Sequence, residues 1–231
     1  MEEAFTWLLE QFDREKIIAR KILRPVSDDF PVTFNQTEDD ANALLPLIAA
    51  QMEIDPNLIL LDFYDQSLME FGSAAGKIFS QQTPGERYSA GLYHNRQSQG
   101  KFRVSIETAQ LKNTENLVAT LAHEFAHIKL IGEKRITEND EYLTDLVPVI
   151  YGLGIFNANA SFRFYTSNDS WGYQQQGYLK QQEWGYALAL YAHIRNEGEK
   201  QAWSDFLVPN IRSDFKKSAA FLAQQPPFMP E

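Results

Sequence analysis

Two histidines one helical turn apart with a glutamate between them, His123-Glu124-Phe125-Ala126-His127, carry the clearest chemistry in this chain. Side chains at i and i+4 of a helix share a face, so the two imidazoles can meet at one metal ion. A divalent ion held by three protein ligands keeps a fourth position for water and lowers the pKa of that water to about 7. Glu124 is placed to take the water's proton and deliver it to a leaving amine. The spacing H-E-x-x-H thus reads as a zinc site for hydrolysis.

A third ligand is needed, and the chain has no cysteine, so it must be His, Asp or Glu. The acidic run at 138–145 offers Glu141 as the leading candidate. Asp145 lies four residues further on, so one helix could present Glu141 to the metal and Asp145 to a ring nitrogen of a ligand histidine. A carboxylate in that position fixes the imidazole tautomer and raises its basicity. Asp145 as the third ligand is the alternative. The bland reading of Glu138, Asp140 and Glu141 is a solvated, acidic helix start.

The elements around these residues are legible from local pattern. Residues 113–130 predict a helix, with Asn113 or Thr114 as N-cap and Glu115 in the first turn. Leu117, Leu121, Phe125 and Ile128 form its apolar stripe, while His123 and His127 point the other way beside Asn116 and Thr120. A second, buried helix follows through 143–154, ending in two glycines and bent at Pro148, a bend that would help position Glu141.

His123-Glu124-x-x-His127 followed by Glu141-x-x-x-Asp145 resembles the gluzincin branch of the zincin metallopeptidases over about residues 100–150. The resemblance implies Zn²⁺ on His123, His127 and Glu141, Glu124 as general base, Asp145 as orienter of a histidine, and a peptide or protein substrate. It also implies an α+β zincin-like domain, with a small, mostly antiparallel sheet packed on the metal helix and further helices toward the C-terminus. The chain departs from the family pattern in a short gap between His127 and Glu141 and in Lys129, where an apolar residue is preferred. The metzincin spacing is absent, since Leu130 and Glu133 occupy its glycine and third-histidine positions, and an aspzincin-like arrangement would use Asp145 as ligand.

Before the metal helix, the pattern predicts an amphipathic helix from the N-terminus to about residue 23, carried by Phe5, Leu8, Leu9, Phe12 and Ile17 and ended by Arg24-Pro25. A short strand at 31–35, a helix at 37–52 interrupted by Pro46 and a strand at 59–64 follow. Strands 89–94 and 102–106 pair as a hairpin across a polar connection at 95–100, and 102–106 is the candidate for pairing with an extended substrate. After the metal region, 156–178 reads as an irregular segment or active-site loop, 181–196 and 211–223 as helices, and 224–231 as a tail. The whole is one domain over 1–231: a helix and sheet part to about 110, metal-site helices at 111–155, and a mostly helical remainder.

Peptide hydrolysis also needs a donor for the oxyanion, and Tyr186 and His193 share a face of the 181–196 helix that could enter the cleft. His94, Arg163, Tyr173 and Tyr178 are weaker candidates for the same task. For any of them a structural role is the commoner alternative.

Composition sets outer bounds. With 231 residues, 44% of them hydrophobic, the chain can bury one substantial core. Its net charge of −10, from 21 basic and 31 acidic residues, argues against nucleic acid and anionic membranes as partners. No stretch is long and apolar enough to span a bilayer and no signal peptide is evident, so a cytoplasmic location is expected. The rival function is a non-catalytic or degenerate zinc module that binds a protein through aromatic-rich residues 156–184, with Asp140 or His193 closing the site as a fourth ligand.

Overall fold

The computed structural model describes residues 1–65, 91–98, 100–167, 170–175, 179–198 and 201–228, and its architecture is α+β. The chain opens on α1 (Glu2–Gln11), which buries Phe5, Leu8 and Leu9. The single N-terminal helix expected to residue 23 is two: the backbone turns extended at Phe12 and restarts as α2 (Arg14–Ala19). Asp13 is the reason, because its carboxylate accepts the Lys16 N–H and caps a new helix.

No strand forms at 31–35. The Asn35 and Thr37 N–H groups instead donate to Asp40 Oδ2, at 2.9 and 2.7 Å, so this stretch is committed to capping α3 (Glu38–Gln51). Pro46 lies inside α3 without ending it.

A three-stranded sheet follows, built from β1 (Ile59–Tyr64), β2 (Gly91–Ser98) and β3 (Lys101–Glu107) in the order β1-β3-β2. β2 and β3 are antiparallel, with Gly91 opposite Ile106. β1 and β3 are parallel, with Ile59 opposite Phe102 and Tyr64 opposite Glu107. The expectation of a mostly antiparallel sheet is therefore corrected: β3 inserts between β1 and β2, and the long connection from β1 lets it run in the same direction as β3. β2 also continues to Ser98 through most of the expected connection, with a register shift between His94 and Ser98. Residues 89 and 90 of the expected strand lie outside the described residues.

Phe102, Val104 and Ile106 of β3 are buried, and the helix of the histidine pair, α4 (Thr114–His127), packs against the sheet. Asn113 caps α4, its Oδ1 accepting the Asn116 N–H at 3.0 Å. Leu117, Leu121 and Phe125 are fully buried, as their spacing predicts, each worth roughly 1.5–3 kcal/mol. The opposite face is not open, however: Ala119, Ala122 and Ala126 are small enough for neighbours to approach, Thr120 and His127 are buried as well, and Glu124, seven residues after Leu117, is buried at the flank of the apolar stripe. The helices that cover α4 are α3, α5 (Glu141–Ile150) and α6 (Gly154–Ala160).

Beyond His127 the backbone widens into a π-helical turn, Ile128–Gly132. Lys129 is buried there, its Nζ 2.6 Å from Glu133 Oε1 and above the rings of Phe12 and Tyr151. A lysine at this nominally apolar position is thus matched by a carboxylate and two aromatic faces. Pro148 falls at the end of α5 remote from Glu141, and the chain turns at Gly152 with φ +74°, where a Cβ would collide with the Lys21 carbonyl.

Residues 156–178, expected to be irregular, contain most of α6 and a hairpin of β4 (Phe162–Ser167) and β5 (Ser170–Gln175), with Phe162 opposite Gln175. The asparagines that suggest a loop are consumed in long-range bonds: Asn157 Nδ2 donates to Ala119 O and Asn159 Nδ2 to Phe206 O. The last helices, α7 (Gln181–Ile194) and α8 (Pro209–Leu222), fall where their periodicity predicts. They meet so closely at Gly185 that a Cβ there would lie 2.7 Å from Asp214 Cβ. One cluster of buried apolar residues runs from Phe5 to Leu222. Among the described residues, no helix is long and apolar enough to cross a membrane.

Candidate metal centre

Helices α4 and α5 bring three side chains to one point. α4 supplies His123 and His127 on successive turns, their rings 5.0 Å apart and nearly perpendicular at 87°. α5 supplies Glu141 from its first turn, which Asp140 fixes by accepting the Leu143 N–H at 3.0 Å. Glu141 Oε2 is 3.3 Å from His123 Nε2 and 3.8 Å from His127 Nε2. The ligand atoms of all three residues lie within 4.8 Å of one another, so this group could hold a metal ion.

The fit can be tested on geometry. Bonds of about 2.0–2.1 Å at tetrahedral angles put ligand atoms about 3.3–3.4 Å apart. The two separations from Glu141 are at or a few tenths of an ångström beyond that spacing. The donor set, two imidazoles and a carboxylate, suits zinc and several other divalent ions. The side chains of His123 and Glu141 each keep 23% of their surface exposed, so solvent reaches the point where they converge.

The groups behind the ligands are ordered. Asp145, one turn after Glu141 and 2% exposed, places Oδ1 3.1 Å from His123 Nδ1. That contact engages Nδ1 with a carboxylate and leaves Nε2, the nitrogen facing Glu141, as the one that could meet an ion. Asp145 thus stands at the nitrogen remote from the convergence point, which matches the role of orienter better than that of ligand. Asn139 Nδ2 donates to Glu141 Oε1 at 2.7 Å and leaves Oε2 for the histidines. Glu124, on the turn between the histidines, is 3% exposed.

The electrostatics separate the two histidines. Burial works against protonation of His123, but its hydrogen bonds with Asp145 and Glu141 overcome it and raise the pKa well above the usual value. His127, buried and beside His123, is pushed down to about 4. Burial opposes ionisation of Glu141, yet the His123 hydrogen bond and the two imidazoles hold its carboxyl below the ordinary range. Carboxylates packed around imidazoles in this way are a group that could hold a divalent cation.

The proposed oxyanion donors are placed elsewhere. The Tyr186 hydroxyl donates to Glu2 Oε1 at 2.5 Å, and the His193 Nε2 contact is with Pro226 O at 3.1 Å. Neither joins the metal-capable group, because the face of α7 that carries them turns toward α1 and the C-terminal segment. Asp140 caps α5 and also stands outside the group. The side chains of His94, Arg163 and Tyr173, and residue Tyr178 altogether, lie outside the described residues.

The candidate substrate strand is corrected too. β3 is the centre of the sheet, with β1 on one side and β2 on the other, so its backbone has no edge to offer. β2 packs against α4 and pairs, among the described residues, on one side alone.

Three participants were not evident from spacing. Asn139 and the backbone N–H of Leu179, which donates to Asp145 Oδ2 at 3.1 Å, orient the carboxylates. Tyr64, at the end of β1, feels Glu124: burial first, then Glu107 and Glu124, raise its pKa. Its position at a strand terminus was the one local signal for Tyr64. No protein-family model, curated protein or solved structure matches this chain.

Proposed function

We propose that the protein is a zinc-dependent, gluzincin-like metallopeptidase. The observation that carries the reading is the convergence of Glu141 Oε2 on the Nε2 atoms of both histidines, with a buried Glu124 on the same helix. Zinc, when bound to His123, His127 and Glu141, would polarise the scissile carbonyl and supply hydroxide at neutral pH.

The chain's own residues do the remaining work. Glu124 accepts a proton from the attacking water and returns it to the leaving amine. Asp145 keeps His123 in the tautomer that exposes Nε2, and Asn139 holds Glu141 by its other oxygen. An extended peptide would add to β2, the strand beside the metal helix, along the side that is unpaired among the described residues, through main-chain hydrogen bonds.

The non-catalytic alternative calls for a fourth protein ligand, and neither Asp140 nor His193 joins the three. The experiment that tests the proposal is zinc content and cleavage of a mixed peptide library by wild type and Glu124→Gln. A variant that keeps zinc and loses cleavage supports it, while equal cleavage by both refutes it.

A further inference from the structure

We infer that the backbone N–H of Leu179 is a positioning group of the metal centre, holding Asp145 so that His123 presents Nε2 to the ion. The inference rests on the metal reading above and extends it to a segment 34 residues downstream of Asp145.

The Asp145 carboxylate is held at both oxygens. Oδ1 meets His123 Nδ1 at 3.1 Å and Oδ2 accepts the Leu179 N–H at 3.1 Å, with Asp145 2% exposed and Leu179 fully buried. A carboxylate tethered at one oxygen alone turns easily about its last bond, whose torsional wells are broad. A second donor on the other oxygen stops that rotation and keeps Oδ1 in line with the imidazole.

The location of the donor gives the contact its interest. Leu179 stands just before α7, where the chain comes back from the β4–β5 hairpin, and the helix start does not need its N–H. Lys180 occupies the cap position, and its own N–H is taken by Glu183 Oε2 at 2.7 Å. The Leu179 amide is therefore available to Asp145 and ties the return of the hairpin to the ligand histidine.

Incorporating leucic acid at position 179 converts one amide to an ester, deleting this N–H while keeping the side chain. Zinc affinity of the full chain would be measured by chelator competition, with the melting temperature of the zinc-free form in parallel. Leu179→Ala, which keeps the N–H and loses the side chain, is the control.

The expected result is an affinity about tenfold lower in the ester, the low end of what orienting partners of ligand histidines contribute. Leu179→Ala should lower the melting temperature and retain affinity, and in an Asp145→Ala background the ester should cause no further loss. An ester chain that melts lower yet binds zinc as wild type does would make the contact merely structural and overturn the inference. Loss of affinity that persists undiminished in the Asp145→Ala background would also overturn it. A wild-type chain that binds no zinc would remove the metal reading itself, an outcome distinct from both.

Discussion

Glu124→Gln separates chemistry from structure at this site. The side chain is 3% exposed and sits on α4 between two turns packed by Leu121 and Phe125, so an amide of nearly the same shape leaves the packing intact. It is not among the three groups that converge, so zinc should remain at one ion per chain. What is lost is the proton acceptor, and general-base catalysis contributes about 10²–10⁴-fold. That corresponds to roughly 2.7–5.4 kcal/mol on the barrier at about 1.36 kcal/mol per tenfold. The assay is kcat on a cleaved peptide with zinc content and melting temperature on the same preparation. Activity within about threefold of wild type at full zinc occupancy would refute the assignment, given the expected 10²-fold minimum.

Other consequences follow from the same geometry. His123→Ala and Glu141→Ala should each lose the ion under conditions where wild type holds one, read by elemental analysis of the purified chains, since each removes one of three ligands. Gly185→Ala should destabilise the fold by about 1–3 kcal/mol in urea titration, because the new Cβ meets Asp214 Cβ at 2.7 Å and the Phe215 amide at 2.8 Å, and backbone must move. Asp29→Asn should cost about 1–3 kcal/mol near pH 7, since the buried carboxylate accepts the Arg24 Nε and backbone N–H and pairs with Lys21. The Arg24 hydrogen bond foremost holds the Asp29 pKa below its ordinary value, so this stabilisation is full above the unfolded pKa of about 3.9 and fades as pH falls toward the lower folded value. Denaturation curves of wild type and Asp29→Asn should therefore converge in strong acid, and a gap that stays constant down to pH 2 would contradict this account.

The group that could hold a metal was legible because its information is local. An i, i+4 pair on a helix needs only the 3.6-residue period, and Asn113 supplied the start of that helix within three residues. Glu141 and Asp145 obeyed the same rule on the next helix, which sets one beside the Nε2 atoms of the histidines and the other beside His123 Nδ1. α7 and α8 were likewise visible as apolar periodicity.

Other features depended on partners distant in the chain. Nothing local in 102–106 distinguishes a central strand from an edge, yet insertion of β3 between β1 and β2 withdrew it from substrate pairing and made the sheet mixed. Asn157 and Asn159 look like loop residues until α4 and the 202–206 turn supply carbonyl acceptors for them. Tyr186 and His193 share a helix face as their spacing requires, but packing of α7 turned that face toward Glu2 and Pro226. The sequence by itself determined which residues can share a helix turn, and hence the His123, His127 and Glu141 candidates, because backbone period is a property of neighbours. Tertiary structure alone decided which face of each helix meets the site, which strand lies at the centre of the sheet, and that the Leu179 amide would hold Asp145. Those outcomes depend on how distant segments pack, and a backbone N–H leaves no mark of its partner in the order of side chains.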